Sequence, residues 1–327
     1  MKKIIAVVLA AALVLGVLCA CSGQNEESKS ESDGKISVIS TIFPPYDFAR
    51  QVGGDNIDLS MLLKPGMESH SFEPSPKDIV NIQNCDLFIY VGGESDEWVK
   101  TILESDEKKP KKIIALMDIV DTVQEATIEG MTTEEDHDHD DKDSEEEGEH
   151  GVEYDEHVWT SPKNALIISK KISEAMQELD PANKPVYEKN TNEYAKQLTK
   201  LDSEFREVAD NAKNKLLIFG DRFPFRYFTD EYGFSYYAAF PGCSAETEPS
   251  AATVSFLIEK TKEKNIPVVF KIEFSNGKVA ETIADAAGAK VLLMHSCHNI
   301  DADSMENGAT YVSLMEGNLK NLKEAVS

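Results

Sequence analysis

From Lys35 onward, short runs of consecutive apolar residues alternate with stretches in which apolar residues recur at helical spacing. ISVISTIF (36–43), LSMLL (59–63), LFIYVG (87–92) and IIALM (113–117) are bounded by turn residues and predict strands buried in a parallel sheet. Helices are predicted between them at 45–53, 76–84 and 95–105. The second half repeats the alternation, with strands at LLIFG (216–220), YYAAF (236–240), PVVFKIEF (267–274) and KVLLMH (290–295), and helices at 222–231, 249–264, 276–287 and 306–325. Between the halves, Ser161-Pro162 starts a helix over NALIISKKISEAMQEL and Asp180-Pro181 ends it. A second helix then runs over 181–214, with Val186, Tyr187, Tyr194, Leu198, Leu201, Phe205 and Val208 as its buried stripe. At 1.5 Å rise it is a rod of roughly 45 Å. The pattern implies an α/β fold of two lobes, each a mostly parallel sheet flanked by helices, joined by a long rigid helix. The expected division is an N-terminal lobe at 35–180, the connecting helix at 181–214 and a C-terminal lobe at 215–327. No repeat of the solenoid kind is present.

The first residues belong to neither lobe. MKK followed by IIAVVLAAALVLGVL has the basic start and short apolar run of a secretory signal, which gives residues 1–20 as a leader. Leu18-Cys19-Ala20-Cys21 resembles the bacterial lipobox and makes Cys21 the lipidation site. The polar segment SGQNEESKSESDGK then reads as a flexible tether over 21–34. The formal net charge is −26, and loss of Lys2 and Lys3 with the leader makes the balance more acidic by two. That sign excludes nucleic acid as a partner by charge and leaves lipid at Cys21 as the contact with a membrane. Outside the cytoplasm an oxidised pair is permitted, and Cys243 with Cys297, both near strand ends of the second half, is the expected one.

Candidate chemistry lies in the histidines, none of which falls on the apolar face of a helix. His70 sits in the turn GMESHSFEPSP, between Gly66 and Pro74. His157 opens HVWTSP, and His295 caps the strand KVLLM. Glu273 ends the preceding strand in the same way, and carboxyl ends of neighbouring parallel strands open onto one crevice. His298 follows just past His295. His137, His139 and His150 lie in an acidic loop, 131–151, whose residues 134–150 hold eleven acids and no apolar residue. Such a segment cannot pack, and its imidazoles and carboxylates suit capture or sensing of a divalent metal. Three nitrogen donors with a carboxylate or water suit zinc, whereas manganese favours additional oxygen donors.

These motifs together resemble the metal-binding, cluster A-I solute-binding lipoproteins of bacterial ABC importers, of the zinc-uptake type. GMESHSFEPSP is similar to that family's first ligand motif, at His70, and HVWTSP to its second, at His157. VFKIEFS, GAKVL and YVSLMEGNLKNL resemble its C-terminal landmarks. One departure stands out: where the family offers a third ligand, this chain has Arg222 in DRFPFRYF, and a guanidinium has no lone pair to give. At the position read as the family's fourth ligand it has His295. The site expected from the resemblance is therefore His70, His157 and His295, with Glu273 or water as the fourth ligand and Arg222 paired with Glu246 or Glu273.

The resemblance implies a monomer, held by lipid outside the cell membrane, that takes Zn²⁺ between two lobes and delivers it to an ABC permease and its ATPase. It also implies a small closure, because the long helix stiffens the lobes. The alternatives are a secreted zinc-dependent hydrolase with Glu273 as base, and a manganese-type binding protein or adhesin of the same family. Against an enzyme stands the lack of a His-Glu-x-x-His or Gly-x-Ser-x-Gly motif.

Overall fold

The computed structural model describes residues 34–67, 72–105, 108–132, 153–244 and 248–327. Strands β1 (Ile36–Ser40), β2 (Ile57–Met61), β3 (Leu87–Tyr90) and β4 (Lys112–Ala115) form a parallel sheet in the order β2-β1-β3-β4. Strands β5 (Leu216–Phe223), β6 (Ser235–Pro241), β7 (Val268–Lys271) and β8 (Lys290–Leu293) form a second in the order β6-β5-β7-β8. The two orders are the same arrangement. In each, the chain leaves the first strand on one side and returns on the other, so a crevice opens beyond the carboxyl ends of β1 and β3 and of β5 and β7.

The helices follow from local chemistry. Pro44 and Pro45 open α1 (Phe43–Gly53), which ends β1 earlier than its apolar run suggests, because proline gives no N–H to a ladder but fits the first helical turn. Ser75 and Asp78 make a reciprocal cap on α2 (Pro76–Asn84), and α3 (Glu97–Glu104) follows β3. Ser161 caps α4 (Pro162–Leu179), and α5 (Lys184–Asn211) is the long helix. The second half adds α6 (Arg226–Tyr232), α7 (Ala251–Glu263), α8 (Lys278–Ala287), α9 (Ala302–Glu306) and α10 (Tyr311–Val326).

Two boundaries differ from the sequence reading. Arg222 and Phe223, expected to begin a helix, continue β5 after a register shift between Phe219 and Arg222. Pro224 disfavours helical backbone in the residue before it, and α6 starts only at Arg226. The closing helix is two pieces, because Gly308 at φ +74° breaks it and Thr310 caps a new start.

Residues Ile36–Ser327 form one compact unit. A single apolar core runs from Val38 and Ile89 through Trp159 and the α5 residues Tyr194, Leu198, Leu201 and Phe205 to Phe219 and Phe270. The strands alternate accordingly: Ile39 and Phe88 face an outer cluster with Ile82 and Val99, and Ile218 and Val269 face another with Leu257 and Ile283. Val186, expected in the α5 stripe, is exposed; the buried face runs from Tyr187 through Thr191 and Tyr194 to Ala209. The helix is thus shared by both sheets, which pack on one common core while each keeps a smaller cluster on its outer face.

Phe205 is fully buried on this helix, and Phe228 packs edge-on against it. Phe205→Ala is expected to destabilise the fold by about 3–5 kcal/mol. Lys200→Ala, on the exposed side of the same helix, should stay within about 0.5 kcal/mol of wild type. Urea unfolding of both variants checks this; equal midpoints would refute the shared-core account.

Candidate metal centre

HVWTSP forms a single 3₁₀ turn, Val158–Thr160, leading into α4, and it is held on three sides. The Asp155 carboxylate accepts from the His157 backbone N–H at 2.8 Å and lies 3.1 Å from the ring Nδ1. That pairing fixes the Nδ1–H tautomer and leaves the Nε2 lone pair for a metal, the usual arrangement around a ligating histidine. Burial works against a charged His157 imidazole, but Asp155, with Glu156 and Glu125, outweighs it and holds the pKa above the ordinary value. Glu156 accepts from the Ser95 N–H at 2.8 Å, which ties the turn to the chain beyond β3. The Trp159 indole N–H donates to the Ser296 carbonyl at 2.8 Å, and the Trp159 carbonyl accepts from the Tyr311 hydroxyl at 2.7 Å.

The Trp159 bond brings in the loop after β8. His298, not His295, comes beside His157: their ring centroids are 5.5 Å apart with planes at 83°, and Trp159 lies 5.0 Å from His298. Two imidazoles on one tetrahedral zinc at about 2.0–2.1 Å have centroids roughly 5 Å apart. His157 and His298 line one cavity of about 30 Å³ with Met67, Arg222, Gly242 and Glu273. Gly242 is needed there, since a side-chain carbon would come within 2.9 Å of the Phe223 carbonyl and 3.3 Å of the His157 ring.

His295 does not line that cavity. Its Nδ1 accepts the Cys297 backbone N–H at 2.9 Å, so the proton sits on Nε2 and neither nitrogen offers a lone pair to a metal. Asn318 clamps its backbone, accepting from the N–H at 2.6 Å and donating to the carbonyl at 2.7 Å. Glu273 does reach the cavity wall, but its carboxylate accepts from the Ser296 N–H at 2.7 Å and from the Ser296 hydroxyl. The two residues expected as ligands are braces of the loop that presents His298. The loop turns at Cys297, whose φ of +63° re-aims the chain after the strand. Sequence reasoning favoured His295 because it caps the strand; a crevice beyond strand ends is lined by the residues that follow, and that was the available signal for His298.

His70 lies outside the described residues, as do His137, His139 and His150 of the acidic loop, Cys21, and Glu246, one of two expected partners of Arg222. Up to Met67 the chain that leads to His70 is well fixed. Asn299 donates to the carbonyls of Lys64 and Met67, both at 2.8 Å, and the Gly66 N–H donates to the Ile300 carbonyl at 2.8 Å. Met67 lines the cavity already described, and Phe72 lines a smaller one that shares His298. Among the described residues no group of three or more His, Cys, Asp or Glu is arranged to hold a metal. Arg222 lines the cavity, with one guanidinium N–H donating to the Ser244 carbonyl at 3.3 Å.

The expected Cys243–Cys297 disulfide is absent, and both thiols are free, as is Cys85. Their surroundings differ. Cys297 is buried in the core, electrostatically coupled to Tyr194 and Tyr311, and burial pushes its thiol up. Burial also pushes up the Cys243 thiol, which lies instead by Glu125, Glu156 and Asp155, with its N–H donating to Glu125 at 3.1 Å.

The family model for the periplasmic zinc-uptake complex component A, ZnuA, matches residues 38–325. The chain belongs to the ZnuA family. It is 34% identical to the high-affinity zinc uptake system protein ZnuA of Bacillus subtilis, over 98% of this chain and 96% of that protein. It is also 34% identical to the zinc-binding lipoprotein AdcA of Streptococcus pneumoniae, over 99% of this chain but 61% of AdcA. The chain therefore spans about three fifths of the length of that relative. Among solved structures, the Zn(II)-bound ZnuA-like domain of S. pneumoniae AdcA superposes with a TM-score of 0.71 at 29% identity, covering 90% of this chain and 99% of that domain. The metal-dependent lipoprotein YcdH of B. subtilis gives 0.73 at 30% identity, covering 90% and 100%.

Beside the site, Asp96 is buried and accepts from the N–H groups of Val91 (2.6 Å) and Gly92 (3.3 Å). Burial, with the charge of Glu156, pushes its pKa up from 3.8 to about 6. The folded chain therefore keeps this proton to higher pH than the unfolded chain, so its stabilising contribution is full below pH 3.8 and lost as pH rises through 6. Asp96→Asn, which can still accept both N–H bonds, should gain on wild type between these pH values, by at most roughly 3 kcal/mol. Melting temperatures of the two proteins at acid and neutral pH check it; a constant difference would refute the assignment.

Proposed function

We propose that this chain is the extracytoplasmic zinc-binding component of a metal ABC uptake system, anchored by lipid at Cys21, which captures Zn²⁺ and delivers it to a membrane permease driven by an ATPase. The observation that carries this reading is the pair of buried His157 and half-buried His298, side by side at zinc spacing in a cavity lined by Met67 of the first half and by segments of the second. His70 is the third donor in this reading, since the chain on both sides of it reaches cavities that His298 lines. Imidazole donors favour zinc over manganese, because the nearby carboxylates of Glu273 and Asp155 are engaged with Ser296 and His157. That engagement also removes Glu273 as the base of a zinc hydrolase, and family membership supports a transport component rather than an enzyme.

The cargo site sits between two sheets that share one core, which supports a small closure on binding. The acidic loop with His137, His139 and His150 directly precedes His157 in sequence, and in this reading it gathers metal near the site. No described helix is long and apolar enough to cross a membrane.

Zinc titration by calorimetry tests the ligand set. His157→Ala and His298→Ala are each expected to weaken binding at least tenfold, as loss of a ligand or its support does. His295→Gln, which keeps a hydrogen-bonding side chain at the loop brace, should lose less than His298→Ala. Affinity unchanged in His298→Ala would sink the assignment.

A further inference from the structure

Met67 and Phe274 both line the cargo cavity, Met67 from the first half of the chain and Phe274 from the second, and each is also about half exposed, at 45% and 50%. A side chain that meets both cavity and solvent stands at the opening. Single exposed apolar residues are ordinary on a protein surface. Two from distant segments around one opening are not, and Phe274 is the only exposed phenylalanine among the described residues. Its backbone is unusual as well. Phe274 has φ +59°, a left-handed conformation that a bulky side chain rarely adopts, and such strain persists only where the surroundings impose it. Asp221 accepts from the Ile272 N–H at 3.3 Å and shares a hydrogen bond with the Ser275 side chain, while Glu273 holds Ser296, so the turn is pinned on both sides of Phe274. Met67 is fixed likewise, its carbonyl accepting from Asn299 at 2.8 Å and its N–H donating to the Lys64 carbonyl at 3.1 Å.

We propose that Phe274 and Met67 form an apolar lip over the cargo cavity, which keeps water from the bound metal and sets how slowly the metal is released. The inference rests on the reading of this cavity as the zinc site. Zinc leaves a site when water or an incoming ligand replaces its donors in turn, so access of water to the cavity limits release. Apolar groups at the opening oppose that access. They also lower the local dielectric, which strengthens the attraction between the cation and the acidic side chains around His157. Glycine would adopt the Phe274 torsion without cost, so the chain carries a phenyl ring where its backbone favours glycine. A ring with no lone pair to give acts there by excluding water. Both lip segments are bonded to the loop that presents His298, Glu273 to Ser296 and Met67 to Asn299, so the lip and the metal donor belong to one braced unit.

The test loads the full mature chain with Zn²⁺ and follows release into excess chelating dye by stopped flow, with association and the melting temperature of the metal-free protein measured alongside. Phe274→Gly removes the ring and relieves the torsion, so it should release zinc about tenfold faster than wild type while melting at the same temperature or higher. Loss of a merely structural residue would lower the melting temperature along with retention. Phe274→Asn, polar but tolerant of positive φ, should release zinc as Phe274→Gly does. Met67→Ser should also speed release, and Met67→Leu, apolar without sulfur, should lose far less retention than Met67→Ser. Association should quicken too, so equilibrium affinity falls by less than the release rate rises. Release from Phe274→Gly at the wild-type rate would overturn the proposal, since the ring then has no part in retention. Faster release only together with a lower melting temperature, in both Phe274 variants, overturns it too. So does a Met67→Leu protein that releases zinc as fast as Met67→Ser, because the thioether would then be a ligand. A wild type that takes up no zinc overturns the reading of the cavity as a zinc site, and the lip with it.

Discussion

The Trp159 indole donates a hydrogen bond to the Ser296 carbonyl, and the candidate site depends on that contact. It joins the turn that carries His157 to the loop that carries His298, two segments far apart in sequence. Buried hydrogen bonds of this kind add about 1 kcal/mol each to stability, and leaving such donors unmade costs more. Their larger effect here is positional. With Tyr311 on the Trp159 carbonyl and Asn318 on both backbone groups of His295, the loop has one buried arrangement. Two imidazoles can then stand at metal spacing before any metal arrives, which reduces the ordering entropy lost on binding.

The fold supplies the frame for that contact. Both sheets use the same strand order, so each opens a crevice beyond its carboxyl ends, and α5 packs against both through one continuous core. A shared core resists rotation of one sheet against the other, because packed interiors do not deform continuously. The site is accordingly made of short, braced segments around the crevices. Asn299 and Gly66 fix the chain before His70 onto the same loop that holds His298.

Acidic side chains crowd the cavity, and its own wall holds both the Glu273 carboxylate and the Arg222 guanidinium. Asp155, Glu156 and Glu125 lie around His157, raise the proton affinity of its imidazole, and attract a divalent cation. Arg222 stands against that field in the wall itself. The chain thus keeps the fold of the ZnuA family with a guanidinium in the wall of its candidate site.

Much of this was legible in the amino-acid order. Apolar runs bounded by turn residues gave both parallel sheets, and the spacing of Tyr194, Leu198, Leu201 and Phe205 gave the long helix, because period and burial are local properties of a chain. The motif HVWTSP placed His157 at a turn with its following helix already capped. What the order of residues could not decide was which of two histidines three positions apart faces the crevice. Cys297 turns the backbone to positive φ, Glu273 is consumed by Ser296, and His295 by the Cys297 N–H. Each of these is a hydrogen bond or torsion set by how the loop meets the rest of the fold. The same holds for Cys243 and Cys297, near strand ends in one half of the sequence but set in different surroundings by packing. Pattern fixes which segments are buried; only the meeting of distant segments fixes which side chains remain to bind.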